Sequence, residues 1–268
     1  MKYKKMNLQV EEKVFMIAAS SKGLGFGIAR ELAKNGAIVC IASRTETDIE
    51  VAAQKLRDET RATVHATVLD ASSAESIQNW ISEVERAFER IDGLVVNAGG
   101  PPPGNFDDFT DLQWETAFNL TLMSAVRMIR GVLPVMRNTG CGSILTITSA
   151  SIKEPIDRLL LSNVFRSGVT SLVKSLSNEL AAENIRVNNL VPGRIDTDRV
   201  KSLDKNRAEI MGIPVDEVKA KNETSIPIGR YGTTEEFGRA GAFLLSPAAS
   251  YITGVSLAVD GGLIKTVW

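Results

Sequence analysis

Seven short runs rich in β-branched and other apolar residues are spaced along the chain. They lie at 14–20 (VFMIAAS), 37–43 (AIVCIAS), 62–70 (ATVHATVLD), 93–99 (GLVVNAG), 142–149 (GSILTITS), 185–192 (IRVNNLVP) and 256–260 (SLAVD). The first six are continuous or nearly continuous in apolar character, as strands buried on both faces are. Between them the period lengthens to that of amphipathic helices. Examples are LGFGIARELAKNG, closed by Gly36 as a helix C-cap, and SSAESIQNWISEVERAFERI. Strand and helix in alternation predict a parallel sheet with helices on both faces. The expected fold class is α/β, a doubly wound Rossmann-type parallel sheet of about seven strands forming a single domain over 1–268. Its ligand crevice should lie at the carboxyl ends of the strands.

The first run leads straight into SSKGLGFGIARELA, where Gly23, Gly25 and Gly27 crowd the turn that opens a helix. A helix N-terminus presents unpaired N–H groups, and glycines there let a phosphate approach the backbone. Ile28 stands where G-x-G-x-x-G would place its last glycine. Such glycine clusters also serve tight turns for purely structural reasons. In NAD-preferring sites an acid about twenty residues past the glycines holds the ribose hydroxyl. Here IASRTET offers Ser43 and Arg44 instead, and an arginine suits a 2′-phosphate. Lys22 adds a positive charge in the turn. NADP(H) is therefore the preferred cofactor, with NAD(H) possible.

Charge and composition narrow the partners. Of 268 residues, 31 are basic and 32 acidic, for a net charge of -1, which does not suit a nucleic-acid or anionic-membrane binder. No apolar run is long enough to span a membrane, and MKYKKMNLQVEEK lacks the apolar core of a signal peptide, so a cytoplasmic protein is expected. Cys40 and Cys141 sit in apolar, strand-like runs and read as buried thiols; no metal site is expected.

The order of motifs resembles the short-chain dehydrogenase/reductase family over about residues 12–263. AASSKGLG (18–25), Asp70, NAG (97–99), Asn119 in FNLTLMSAV, Ser149, PGRIDT (192–197), IPIGRYG (226–232) and VDGG (259–262) occur in sequence, each at its expected place. The resemblance implies a cofactor site of Ser20, Ser21, Lys22, Gly23, Leu24, Gly25, Ser43, Arg44, Asp70, Asn97, Ala98, Gly99, Arg166, Pro192, Gly193, Ile195 and Thr197. Within it Asp70 would contact adenine, Asn97 would stabilise the central strands, and Thr197 would meet the nicotinamide end. It also implies a homo-oligomer, read as a tetramer, paired through the helices of WETAFNLTLMSAVRMIRGVLPVM and SNVFRSGVTSLVKSLSNELAA.

The chain departs from the family twice. Ala18 and Ala19 replace the Thr-Gly that opens the usual coenzyme turn, and a methyl at Ala19 would lie near the cofactor. The family's catalytic Tyr follows its Ser by thirteen positions and its Lys comes four later; from Ser149 those positions hold Ser162 and Arg166. A phenol can be tuned toward neutral pH as a general acid, whereas an aliphatic hydroxyl is a poorer acid. An arginine keeps its charge and can bond ribose, but does not release a proton.

The catalytic candidates are Ser149, Asn119, Ser162, Arg166 and Lys153, the last as a substitute donor on the loop after Ser149. A solvated loop cation is the plainer reading of Lys153. Tyr3 lies in the N-terminal tail. Tyr231 and Tyr251 fall where the family carries non-catalytic aromatics. His65, the single histidine, is expected to be structural. The three prolines of GGPPPGNFDDF (99–109) should stiffen a pocket wall, and 198–225 should form a substrate flap or a surface helix pair. The implied activity is hydride transfer between NADP(H) and a small carbonyl or alcohol with an atypical proton donor. The alternatives are a weakly active or inactive dinucleotide-binding sensor or assembly subunit, and non-redox chemistry on the same fold.

Overall fold

The computed structural model describes residues 7–267. Strands β1 (Val14–Ile17), β2 (Ile38–Ser43), β3 (Val64–Val68), β4 (Gly93–Val96), β5 (Gly142–Ile147), β6 (Ile185–Pro192) and β7 (Ser256–Val259) form one sheet in the order β3-β2-β1-β4-β5-β6-β7. Every pairing is parallel. The helices are α1 (Gly23–Lys34), α2 (Glu46–Thr60), α3 (Ala74–Phe88), α4 (Asp111–Phe118), α5 (Ser124–Thr139), α6 (Leu160–Glu179), α7 (Asp198–Met211), α8 (Val215–Ser225) and α9 (Thr234–Leu245). A π turn, Asn119–Met123, joins α4 to α5. The α/β class and the parallel sheet are as the hydrophobic pattern predicts.

The apolar residues of the central strands alternate between two cores. Met16, Leu94 and Ile144 face Trp80, Ile81, Met128 and Val132 of α3 and α5. Phe15, Ile17 and Val95 face Ile28, Leu32, Phe237 and Leu244 of α1 and α9. The strand order reverses between β1 and β4, so the loops leaving them diverge and open a crevice at their carboxyl ends.

Several sequence boundaries shift. The runs at 14–20 and 93–99 end as strands at Ile17 and Val96, because the residues after them turn into the crevice. The 62–70 run does not make a strand buried on both faces: β3 is the sheet edge and Val68 is exposed. Cys40 is buried on β2, and burial pushes its thiol up to about 12. Cys141 is not buried as expected; it is half-exposed in the turn before β5. Tyr3 lies outside the described residues.

Ala19 has φ +48°, in the left-handed region where a side chain is strained. The conformation is held from both sides. Asn97 Nδ2 donates to the Ala19 carbonyl at 3.2 Å, and α1 packs so close that a Cβ on Gly25 would lie 2.7 Å from that same oxygen. Ala19→Gly should therefore raise stability by about 1 kcal/mol, read as a higher urea midpoint with unchanged m-value.

Candidate active site

A cavity of about 750 Å³ opens at the carboxyl ends of β1, β4, β5 and β6. One end is the glycine turn, where Ala19, Lys22, Gly23 and Leu24 line it. No side chain caps the N-terminus of α1, and its first turn holds no acidic residue, so its N–H groups are left for a ligand. Gly27 packs against the Thr234 backbone of α9, where a Cβ would come within 2.3 Å of a carbonyl oxygen. Close helix packing, which the last glycine of G-x-G-x-x-G usually serves, is thus met one residue early.

Asn97, Ala98 and Gly99 line the cavity beyond β4, and a Cβ on Gly99 would meet nothing within 4 Å. Pro192, Gly193, Ile195 and Thr197 line it beyond β6. Gly193 passes so near Asp260 that a Cβ would lie 2.5 Å from its Cα, which accounts for the pairing of the PGR and VDGG motifs in space. Ser43, Arg44 and Asp70 are not on the cavity wall. Arg44 and Asp70 are exposed at the ends of β2 and β3, and Ser43 is the buried last residue of β2. Bonds from Ser72, helped by the charge of Arg44, hold the Asp70 carboxyl below its ordinary range.

At the other end of the cavity, Ser149 follows β5 while Ser162 and Arg166 sit one turn apart on α6. Ser149 Oγ accepts the Ser151 N–H at 3.2 Å. Ser162 is buried and its Oγ accepts from Arg166 Nε at 3.1 Å. Arg166 Nη1 also donates to the Ile147 and Thr148 carbonyls, at 3.0 and 3.1 Å. Burial, and the neighbouring charge of Arg199, lower the Arg166 guanidinium to about 10, leaving it a cation at neutral pH. Neither serine hydroxyl donates to a protein acceptor among the described residues. Both protons remain available to a ligand.

Some predicted residues are placed otherwise. The Ser20 hydroxyl is turned into the core, donating to the Ile17 carbonyl at 2.7 Å and accepting from the Ala42 N–H at 3.1 Å. Ser21 is half-buried and outside the cavity wall. Lys22 is paired with Asp198 at 3.1 Å. The tight turn Ala150–Ile152 carries Lys153 past the cavity, and Glu154, Pro155 and Ile156 line it instead. Asn119 does not reach it: its amide donates to the Glu115 carbonyl at 3.0 Å and accepts from Arg127 at 3.2 Å, both on the same helical stretch. Of the proline loop only Gly99 and Gly100 reach the cavity. Its third wall is α7 and α8, the 198–225 segment expected to be a flap or a surface helix pair, through Arg199, Leu203, Arg207, Met211, Val218 and Lys221.

The family model described as enoyl-(acyl carrier protein) reductase matches residues 18–264. Dehydrogenase/reductase SDR family member 4 of Sus scrofa is 34% identical over 256 residues, covering 94% of this chain and 88% of the relative. The 3-oxoacyl-[acyl-carrier-protein] reductase FabG of Chlamydia muridarum is 32% identical, covering 96% and 100%. The chain belongs to the short-chain dehydrogenase/reductase family. Among solved structures, L-sorbose reductase from Gluconobacter frateurii, complexed with NADPH and L-sorbose, superposes with a TM-score of 0.93 at 30% identity, covering 98% of this chain and all of that one. An actinorhodin polyketide ketoreductase with NADPH superposes at 0.91 and 28% identity, covering 95% and 98%.

Two tyrosines lie within the described residues. Tyr251 is fully exposed. Tyr231 is buried, donates to Asp204 at 2.7 Å, and is pushed up to about 12 by burial and that carboxylate. Neither lines the cavity. His65 is held by Glu83 at 2.7 Å and packs edge-on against Phe88, a structural role as expected. Asp204 also accepts from Arg194 at 2.9 Å and Asn222 at 3.0 Å, so the Tyr231 cluster fastens α7 and α8 to the turn after β6. Tyr231→Phe should cost about 1–2 kcal/mol in a denaturant titration, because it removes one donor from a buried carboxylate.

Proposed function

We propose that this protein is an NADP(H)-dependent reductase of small carbonyl compounds, acting in reverse on the alcohols, in which Ser162 and Arg166 stand where the family's Tyr and Lys act. The observation that carries this reading is the pair of cavity hydroxyls. Ser149 and Ser162 each accept a bond from the protein and keep their own proton free, and a half-buried cation backs one of them. Such donors stabilise negative charge developing on an oxygen more than they stabilise the neutral carbonyl. The glycine turn fits a dinucleotide through its uncapped N–H groups and its open Gly99.

NADPH, when bound, supplies the hydride to the carbonyl carbon. Ser149 and Ser162 hold the carbonyl oxygen, and the proton reaches that oxygen through Ser162, whose hydroxyl recovers it from the solvent of the open cavity. Arg166 keeps its charge throughout and strengthens its bond to Ser162 Oγ as negative charge develops. Asn119 acts through the π turn rather than on the ligand. That turn places Thr121, whose buried hydroxyl has no partner, beside Arg166 on a cavity of about 20 Å³, room for one water. NADPH in the family's solved structures agrees with the choice of cofactor. So does the exposed Arg44 with no acid at Ser43. Leu112, Phe118 and Val164 are exposed on α4 and α6, which supports self-association through those helices into a tetramer.

Arg44→Asp should reverse the preference between NADPH and NADH. Loss of a guanidinium–phosphate contact should cost NADPH about 1.5–3 kcal/mol, measured by nicotinamide fluorescence titration. Equal affinity of the unaltered protein for both would contradict the assignment.

The chemical step is tested by single turnover, mixing NADPH-loaded protein with a panel of ketones and β-ketoacyl thioesters and following nicotinamide absorbance. Ser162→Ala should slow the step about 10²-fold, as removal of one oxyanion donor does. The pair Ser162→Tyr with Arg166→Lys should be faster than the natural protein and should gain a pH dependence set by the new phenol. Tight NADPH binding with no turnover in any variant would favour the dinucleotide-binding sensor.

A further inference from the structure

The cavity's charge is not balanced by its own wall. Six cations line it: Lys22, Arg166, Arg194, Arg199, Arg207 and Lys221. Asp198 neutralises Lys22, Asp204 neutralises Arg194, and Glu217 neutralises Lys221. Arg166, Arg199 and Arg207 have no carboxylate partner among the described residues. The one further acid on the wall, Glu154, accepts the Lys265 N–H at 3.1 Å.

Arg199 is placed by two features. As the second residue of α7 it starts a face, Arg199–Leu203–Arg207–Met211, whose spacing of four brings every member onto the same side of the helix, toward the cavity. Its guanidinium crosses the crevice to the loop after β4, where Nη2 donates to the Pro101 carbonyl at 3.3 Å. It lies over Gly100, where a Cβ would come within 3.2 Å of Nη2. Arg199 and Arg166 line the same cavity, and the charge of Arg199 adds to burial in lowering the Arg166 guanidinium. Two facing cations in a partly enclosed site are unfavourable alone and favourable around an anion.

We propose that Arg199, facing Arg166, forms a carboxylate subsite, so that the substrate is a carbonyl compound carrying its carboxylate next to the reacting carbon, a 2-oxo acid or the corresponding 2-hydroxy acid. The proposal rests on the reductase reading for which oxygen is held at Ser149 and Ser162. The rest of such a substrate would meet Leu203, Met211, Ile156 and Leu159, apolar residues that line the same cavity. Arg207 stands two turns beyond Arg199, about 12 Å along the helix, and is too far to share the same carboxylate without moving.

The same oxyanion chemistry could come from the cofactor's own phosphates, and binding measurements separate the two sources. The probes are oxamate, which has the carboxylate and carbonyl but is not reduced, and its uncharged methyl ester, each titrated calorimetrically into NADPH-loaded protein. Oxamate should bind about tenfold more tightly than the ester. Arg199→Gln should abolish that advantage, Arg199→Lys should keep part of it, and both should bind NADPH as the natural protein does. Equal binding of acid and ester, or no oxamate binding, overturns the subsite. So does an Arg199→Gln variant that loses NADPH affinity about tenfold while keeping the preference for oxamate, since Arg199 would then serve a cofactor phosphate. A single-turnover comparison of 2-oxohexanoate with 2-hexanone separates the two levels. Preference for oxamate without reduction of either compound keeps the subsite and refutes the reductase reading.

Discussion

The site depends on a half-buried guanidinium. Arg166 closes the carboxyl end of β5 by donating to the Ile147 and Thr148 carbonyls, and its third bond fixes the Ser162 hydroxyl. A cation is costly to bury unless its donors are used. Here the strand end supplies two acceptors and the helix a third. The consequence is positional: α6 is pinned to β5, and Ser162 is oriented by accepting rather than donating. A lysine at 166 would carry the charge but not the rigid fork that reaches three acceptors from one plane. In the reading developed above, this fixed geometry replaces an acid of tuned pKa with a pair of oriented hydroxyls, and the chemistry shifts from proton release toward oxyanion stabilisation.

A second buried polar cluster sets the opposite wall. Asp204 receives bonds from Tyr231, Asn222 and Arg194, which come from three separate segments. A carboxylate satisfied in this way fastens α7 and α8 over the crevice at a defined angle. That angle turns the Arg199–Leu203–Arg207–Met211 face toward the cavity. Tyr231 is therefore engaged in holding the wall, and its raised pKa is a product of that role.

Much of this was legible in the chain. Continuous apolar runs between amphipathic stretches were enough for the parallel sheet, because central strands must be apolar on both faces. The edge position of β3 was not, since Thr63 to Val68 has the same composition whether or not a neighbour covers it. The glycine turn was legible from its own spacing, whereas the Ser149, Ser162 and Arg166 positions came from the family resemblance. Hydroxyl directions did not: Ser20 and Ser162 look alike in sequence, yet one bonds into the core and the other faces the cavity. Which of the two readings of Lys153 holds was not legible, because one tight turn decides which residue of a loop points inward. Arg199 and Arg207 escaped notice in a segment dense with charge. Their spacing of eight, with Leu203 midway and Met211 beyond, was the available signal, and only the packing of α7 tells which helix face is inward.

The claim that oriented hydroxyls and a permanent cation replace the tuned acid is tested most directly by the pH profile of the natural protein's single-turnover reduction. No group assigned to the step titrates near neutrality, and Arg166 stays charged until the pH nears about 10. The rate should therefore be flat from about pH 6 to 9. A clear inflection between about pH 6 and 9 that persists in Ser162→Ala would contradict the account, since it would place the proton donor on another, titrating residue.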